Sequence, residues 1–455
     1  MSDLINWFHQ IKEKTTDYFY GHDKLTGLLD RVQLMRDLKR MTRNQRMAVV
    51  LVDIDHFRLI NDSMGHGFGD QLLKAAGHRF REPIAQGKAY RLGGDEFAAF
   101  LTLNNTQQIA AYLEALQESF KKTFFIGNCK IHVSLSMGVA FYPEDGDSLE
   151  EVLKHADMAL NQAKKSGRNR YALYDKKMDE AVKDRRLIEK YLHQALENQE
   201  FEVYYQPQLM VQSGKISGFE ALIRWNSPEL GFVSPNRFIA IAEETQLIIP
   251  IGEWVLKKAC RFIHRLHKEG HDSLDVSVNV SIVQLLQEGF VQTVLDTLKE
   301  TGLNPCRLEL EITETILIDS YESIRRKLEL LRQHGVRIAM DDFGKGYSSL
   351  SGLNQLPINT LKIDKLFIDS LLESGPEQSI VDLIIQIGCK MGLTVLAEGV
   401  ETKSQIDYLI RNQCLKAQGF FFSKPLPQRD AEALVTRTVP LVFRHEMGLR
   451  AERAV

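Results

Sequence analysis

The chain has 455 residues, 44% of them hydrophobic and 26% charged, with a formal net charge of −3. That length supports two or three domains, each able to bury its own core, and a charge so near zero argues against a general nucleic-acid coat. Five scattered cysteines (Cys129, Cys260, Cys306, Cys389, Cys414) form no CxxC pair. Neither a zinc site nor a disulfide framework is expected, and a reducing cytoplasm fits.

At the N-terminus, Met1–Trp7 lacks the basic and apolar regions of a signal peptide. Leu4, Trp7, Phe8 and Ile11 share helical spacing, so residues 1–21 read as a capping or dimer helix that hides its stripe against protein; a membrane-surface helix is the weaker alternative. No apolar run is long enough to span a bilayer.

Residues 22–175 mix strand-like runs (Met47–Val52, Ile131–Ala140) with helical ones (Gly69–Phe80, Thr106–Lys122, Ser148–Lys165). Gly93-Gly94 separates the runs Ala89–Leu92 and Phe97–Leu103, which suits a tight hairpin carrying Asp95 and Glu96 at or just past its tip. Asp53 follows the buried-strand candidate Met47–Val52. Such hard oxygen ligands suit Mg²⁺ shared with nucleotide phosphates, although a glycine–acid hairpin alone is only a turn.

Residues 176–199 are highly charged, with Met178, Val182, Ile188, Leu192 and Ala195 at mostly helical spacing, and read as a connecting helix. Residues 200–440 repeat another pattern: apolar runs that end on polar groups, with helical stretches between most of them. Val276–Asn279, Leu308–Glu311, Val336–Asp341, Thr360–Lys362, Thr394–Glu398 and Lys416-Ala417 followed by Gln418 are the runs. This is the pattern of a (β/α) barrel with its functional groups at the strand C-termini. Glu220, Asn279, Glu311, Asp341 and Asp342 would converge there, and carboxylates so gathered repel unless cations sit among them. Residues 441–455 read as a tail.

Arg91-Leu92-Gly93-Gly94-Asp95-Glu96-Phe97, with Asp53-Ile54-Asp55-His56-Phe57-Arg58, Asn61-Asp62, Gly65-His66, Gly69-Asp70 and Lys164–Asn169, resembles the GGDEF family of diguanylate cyclases. Glu220-Ala221-Leu222-Ile223-Arg224-Trp225, with Tyr205-Gln206-Pro207, Val278–Ser281, Glu309–Glu314, Asp341–Gly344, Leu361–Asp364, Ala397–Glu401 and Gln418–Phe420, resembles the EAL family of cyclic di-GMP phosphodiesterases. The first resemblance implies a nucleotide-cyclase-like domain with a ferredoxin-like core, the second a TIM-like barrel. Together they imply an α+β domain followed by an α/β one.

The GGDEF resemblance implies that Asp53, Asp95 and the Ile54 carbonyl hold metal, with Glu96 as ligand or acid–base group. Asn61 and Asp70 would read guanine, and Arg58 (in place of the usual Lys), Lys164 and Arg168 would grip phosphates. The EAL resemblance implies that Glu220, Asn279, Glu311 and Asp341 hold a first metal and that Asp341 and Asp342 hold a second. Lys362 would contact the attacking water and phosphate, Glu398 would act as general base or orient that water, Arg224, Gln206 and Gln418 would bind substrate, and Glu314 would anchor the loop after Asp342. Two Mg²⁺ or Mn²⁺ per site, GTP and cyclic di-GMP as ligands, and a homodimer are thereby expected, with hydrolysis by the second domain and condensation of GTP by the first; the alternatives are a first domain that only binds GTP and regulates the second, and a non-catalytic cyclic di-GMP receptor.

Four further departures stand out. Ile84-Ala85-Gln86-Gly87 carries neither residue of the RxxD product-inhibition site. Asn161 replaces a usual Tyr, Lys345 a commoner Thr or Ala, and Gln246 a frequent Gly. With no PAS, receiver or membrane sensor legible before Gly21, regulation is expected from dimerisation, a partner at the N-terminal helix, or GTP.

Overall fold

The computed structural model describes residues 21–40, 46–84, 87–102, 107–314, 321–344, 355–372 and 377–436. The N-terminal helix, the C-terminal tail and Lys345 lie outside them. The chain divides between Lys183 and Asp184 into two compact units.

In the first unit, strands β1 (Leu29–Asp30), β2 (Met47–Ile54), β3 (Gly87–Gly93), β4 (Glu96–Thr102), β7 (Leu135–Tyr142) and β8 (Tyr171–Leu173) form one sheet; β5 (Phe124–Ile126) and β6 (Cys129–Ile131) make a separate hairpin. The sheet order is β1-β3-β4-β2-β7-β8, and β3, β4, β2 and β7 pair antiparallel. With helices between β2 and β3 and between β4 and β7, these four strands form a ferredoxin-like core. The apolar run Ile131–Ala140 is not one strand: Ile131 closes the β5–β6 hairpin, and β7 starts at Leu135. Every residue of β2 is buried, as a central strand covered on both faces must be. Ser148 caps the helix Leu149–Lys165 by accepting from the Glu151 amide. This helix packs so close to β7 that a Cβ on Gly138 would sit 2.1 Å from Ala156 O and Leu160 N. That contact fixes the helix that carries Lys164.

The second unit closes eight strands into a barrel: β9 (Phe201–Met210), β10 (Ile216–Ser227), β12 (Asp275–Asn279), β13 (Leu308–Thr313), β14 (Arg337–Phe343), β15 (Thr360–Ile363), β16 (Thr394–Ala397) and β17 (Lys416–Ala417). Short β11 (Gly231–Val233) and β18 (Leu426–Pro427) extend β10 and β9. From β10 to β17 the barrel neighbours are parallel, but β9 runs antiparallel to both β10 and β17. The five residues 211–215 between β9 and β10 are too few for a crossover helix, so the first pair folds back as a hairpin. Apolar side chains of the strands and surrounding helices, among them Phe219, Leu310, Ile338, Leu361, Phe262 and Leu328, form one continuous core.

Candidate active sites

In the barrel, the polar residues that end each apolar run sit near one face. Glu220 on β10 lies level with Ser277, Asn279 pairs with Glu311, and Thr313 pairs with Asp341. Between Met340/Leu361 and Phe343/Ile363 the β14–β15 register slips: Asp341 and Asp342 together face the single residue Lys362. This bulge puts Asp342 in the left-handed region (φ 55°), and its amide donates to Asp341 Oδ1 at 2.8 Å. A bulge re-aims side chains at the cost of local strain, so two successive carboxylates reach the barrel end where a regular strand would offer one.

Lys362 is buried, and its ammonium lies 2.6 Å from Glu398 Oε1, 2.7 Å from Glu311 Oε2, 3.2 Å from Asp341 Oδ2 and 3.9 Å from Glu220 Oε1. Burial opposes its charge, but these four carboxylates outweigh burial and hold the lysine well above its ordinary range. Burial first, then Glu220 and Asp341 acting against the relief from Lys362, drives Glu311 well above the carboxylate range. Glu398 is likewise raised, by burial and by Asp341 and Glu220 against Lys362.

Around this cluster, Asn279 Nδ2 donates to Glu220 Oε1 at 2.7 Å. Gln418 Nε2 reaches Glu220 Oε2 at 2.5 Å and Gln206 Oε1 at 3.0 Å. Arg224 sits 5.6 Å from the Tyr204 ring centroid and donates to the Ile223 carbonyl. Glu314 accepts from the Gly344 amide at 3.0 Å.

Among the described residues no three His, Cys, Asp or Glu side chains form a ready metal cage, because the Lys362 ammonium sits among the carboxylates. The donor set nevertheless suits hard divalent cations. Its donors are oxygens, and Glu311 Oε1 is buried without a hydrogen-bond partner. Four carboxylates surround one ammonium, and the adjoining Asp342 adds a fifth.

In the first unit, β3 and β4 meet in a two-residue loop, Gly94-Asp95, with Gly93 paired to Glu96 and a bulge after Arg91. The loop is therefore one residue later than Gly93-Gly94. The bulge absorbs Leu92, and both glycines take positive φ (142° and 53°). Arg91 binds the Gly94 carbonyl at 2.7 Å and Asp23 at 3.0 Å, which holds the hairpin. Asp53 pairs with Glu96 on one side and Ser136 on the other. Lys164 Nζ lies 2.6 Å from Asp53 Oδ2. Burial raises the pKa of Asp53, Asp95 and Glu96, and mutual repulsion adds to it for Asp53 and Glu96, against the relief from Lys164. These oxygens fit a divalent cation for the same electrostatic reason.

The remaining expected residues differ in exposure. Arg58 is 94% exposed, with Asp62 as its ion-pair partner at 3.8 Å. Asp70 and Arg168 are exposed, while Asn61 Oδ1 is buried without a partner. Ile54 is buried at the end of β2.

The structure adds residues that the motifs did not single out. Asp55 accepts from Ser134 Oγ and Ser136 Oγ, both at 2.6 Å, and from the Asn169 amide at 3.0 Å. It thereby ties the Asp53 segment to β7 and to the turn after Lys164. Asp157, raised by burial, adds negative field at Glu96. The position of Asp55 in the DxD string was a usable signal; an acid within a helix such as Asp157 gave none.

A model described as "EAL domain" matches residues 189–425, more than half the chain. One described as "Diguanylate cyclase, GGDEF domain" matches residues 20–170. The chain belongs to the GGDEF–EAL tandem family. This GGDEF–EAL chain is 38% identical over 412 residues to the cyclic di-GMP phosphodiesterase NbdA of Pseudomonas aeruginosa, covering 89% of the chain and 53% of NbdA. It is 36% identical over 420 residues to the bifunctional diguanylate cyclase/cyclic di-GMP phosphodiesterase MucR of the same organism, covering 91% of the chain and 61% of MucR. The chain thus spans between half and two thirds of these relatives' lengths. The solved cyclic di-GMP complex of the PaMucR phosphodiesterase superposes with a TM-score of 0.52 at 39% identity, covering 54% of this chain and 99% of that one.

Proposed function

We propose that the EAL barrel hydrolyses cyclic di-GMP to linear pGpG, and that the GGDEF unit condenses two GTP into cyclic di-GMP. The observation that carries the first half is the convergence of Glu220, Glu311, Asp341 and Glu398 on Lys362 at one end of the barrel. Glu220, Asn279, Glu311, Asp341 and Asp342 would hold two divalent cations, Mg²⁺ or Mn²⁺. When bound, such cations acidify water and stabilise charge on phosphate oxygens.

Glu398 takes a proton from the attacking water. The water oxygen bonds to phosphorus as the P–O3′ bond breaks, and Glu398 returns the proton to the departing 3′ oxygen, so one ring opening gives a 5′-phosphate and a free 3′-hydroxyl. Lys362 holds the water and a phosphate oxygen, Arg224 a phosphate, and Gln206 and Gln418 the substrate edge. Glu314, through Gly344, anchors the loop after Asp342.

In the GGDEF unit Asp53, Asp95 and the Ile54 carbonyl would hold cations beside Glu96. Asn61 and Asp70 would bind guanine, and Lys164, Arg168 and Arg58 the phosphates. The 3′-hydroxyl of each GTP gives its proton to Glu96 and attacks the α-phosphorus of the other, so two phosphodiester bonds form and two pyrophosphates leave. One unit presents one hairpin site, so two chains must face each other, which makes a homodimer the working state. A second reading, in which this unit binds GTP and tunes the barrel without condensing it, rests on Arg58, which stands in place of the usual Lys and is paired with Asp62.

No helix among the described residues is long and apolar enough to cross a membrane, and all five cysteines are free. The free thiols support placement in a reducing cytoplasm. Nucleotide chromatography after incubation with cyclic di-GMP and Mg²⁺, with and without GTP, tests these readings. Linear pGpG is expected in both samples, and cyclic di-GMP from GTP alone in a Glu398→Gln chain. Absence of pGpG would overturn the phosphodiesterase reading. A faster yield with GTP but no condensation would select the second reading of the GGDEF unit.

A further inference from the structure

We propose that Glu243 is a positioning residue of the barrel site, acting through Ser281 on Asn279. The inference rests on the phosphodiesterase reading for its functional consequence, and on the structure alone for its geometry.

Glu243 and Glu244 end the helix Pro235–Glu244. Acids there face the negative end of the helix dipole, an unfavourable placement that calls for a partner. Glu244 has one in Arg185. Glu243 lies against the turn after β12, where its Oε1 accepts from Ser281 Oγ at 2.6 Å.

Ser281 is two residues beyond Asn279, and its hydroxyl has two jobs. It accepts from the Val283 amide at 3.2 Å, while the Gln284 side chain accepts from the Ser281 amide, also at 3.2 Å. This capping box starts the helix Ile282–Leu286 directly after the strand. Because the hydroxyl proton is committed to Glu243, the lone pairs are aimed at the cap. Gln284 is also buried against the neighbouring helix: a Cβ on Gly252 would come within 2.1 Å of Gln284 Nε2. On the strand side, the Val280 amide donates to the Glu311 carbonyl at 2.9 Å. Asn279 thus stands between a strand pairing and a turn locked from two sides. Its amide donates to Glu220 Oε1 at 2.7 Å, which fixes which amide oxygen or nitrogen faces the carboxylate cluster. Gly252, Asn279, Val280 and Gln284 also line a small cavity of about 10 Å³, roughly one water.

A hydrogen-bonded support behind a ligand sets the ligand's direction, and removing such a support typically costs about tenfold or more in metal affinity. The test uses the full chain. Glu243→Ala and Ser281→Ala are each expected to raise the Mg²⁺ concentration for half-maximal cyclic di-GMP hydrolysis by about tenfold, with KM for cyclic di-GMP within twofold. The double variant should be no worse than either single one, because both remove the same contact. Glu243→Gln keeps an acceptor oxygen of the same reach and should recover most of the loss.

A metal-free readout accompanies these. The Asn279 side-chain amide resonance, followed by asparagine-selective nitrogen-15 labelling and assigned by its loss in Asn279→Asp, should move in both alanine variants and return in Glu243→Gln. Folded alanine variants with unchanged Mg²⁺ dependence and an unmoved Asn279 resonance would overturn the proposal. So would additive losses, or a Glu243→Gln variant as impaired as the alanine. A parent chain that hydrolyses nothing would instead remove the phosphodiesterase reading, leaving the amide resonance to decide the positioning role.

Discussion

The Lys362 ammonium lies 2.6 Å from the Glu398 carboxylate, inside a ring of acids that outnumber it. Lysine and glutamate here are not an isolated pair: the ammonium is the counter-ion of the whole cluster. Removing it leaves buried carboxylates uncompensated, whereas removing one acid relieves repulsion.

Lys362→Met should therefore destabilise the metal-free barrel by about 3 kcal/mol, the usual cost of orphaning buried charge. Mg²⁺ should restore much of that loss, because it supplies the missing positive charge. Melting followed with and without Mg²⁺ reads both effects. An unchanged metal-free melt would show that Lys362 is not the counter-ion the distances describe.

Glu398→Gln should behave oppositely. Its pKa is raised by burial and by neighbouring acids, so the neutral isostere removes repulsion, and the metal-free melt should hold or rise. Hydrolysis of cyclic di-GMP should fall by about 10²- to 10⁴-fold, the range lost with a general base. A variant that keeps its rate would reassign the base.

Gly69→Ala probes the guanine contact proposed for Asn61. A Cβ there would lie 1.9 Å from Asn61 Oδ1, the buried acceptor without a partner. Asn61 must move, and GTP affinity measured by calorimetry should weaken by about tenfold, the worth of roughly one hydrogen bond. Hydrolysis of cyclic di-GMP without GTP should be unchanged. Unaltered GTP binding would dissociate Asn61 from the guanine.

Asp37 gives a pH-dependent test of the first unit. Burial would raise its pKa, but hydrogen bonds from Lys88 and Tyr90, with the Lys88 charge, overcome this and hold it below the ordinary carboxylate range. The contacts are 2.9 Å from Lys88 and 2.8 Å from Tyr90. A depressed folded-state pKa contributes stability above the unfolded-state value, and that stability is lost as pH falls through the folded-state value. Asp37→Asn should therefore speed amide exchange in β3 at pH 7, by an amount equivalent to about 2 kcal/mol. Equilibrium unfolding should show the gap to the parent closing below pH 4. A gap that persists in acid would deny the charge its role.

Much of this was legible before the fold. The apolar runs of β12 to β16 announced themselves because parallel barrel strands are buried on both faces and end on polar groups. The antiparallel β9 was not legible, since the run Phe201–Met210 looks the same in either direction and only the short connection to β10 decides. The bulge at Asp341-Asp342 was equally hidden, because register is a property of two strands and a single sequence shows one. Lys362 was marked by its motif, but its place as shared counter-ion depends on four distant strand ends. Arg58 was placed among phosphate contacts by its motif, and its ion pair with Asp62, one turn along the same helix, was open to the i, i+4 spacing.

Gln246 closes the loop between a sequence departure and a backbone angle. It stands where the family frequently has glycine, and its φ is 61°, in the left-handed region that costs a side-chain-bearing residue about 1–2 kcal/mol. Its amide bonds to the Glu243 carbonyl at 3.1 Å, so the turn is held in that conformation despite the strain. Gln246→Gly removes the clash but adds freedom to the unfolded chain, worth about 0.4–1 kcal/mol in the other direction. The net expectation is a gain of up to about 1 kcal/mol in barrel stability, read as a higher chemical-denaturation midpoint. Hydrolysis at saturating Mg²⁺ should be unaltered, because the Glu243–Ser281 contact is made by a side chain that the substitution leaves in place. A lower midpoint would mean that the Gln246 side chain contributes more than its backbone strain costs.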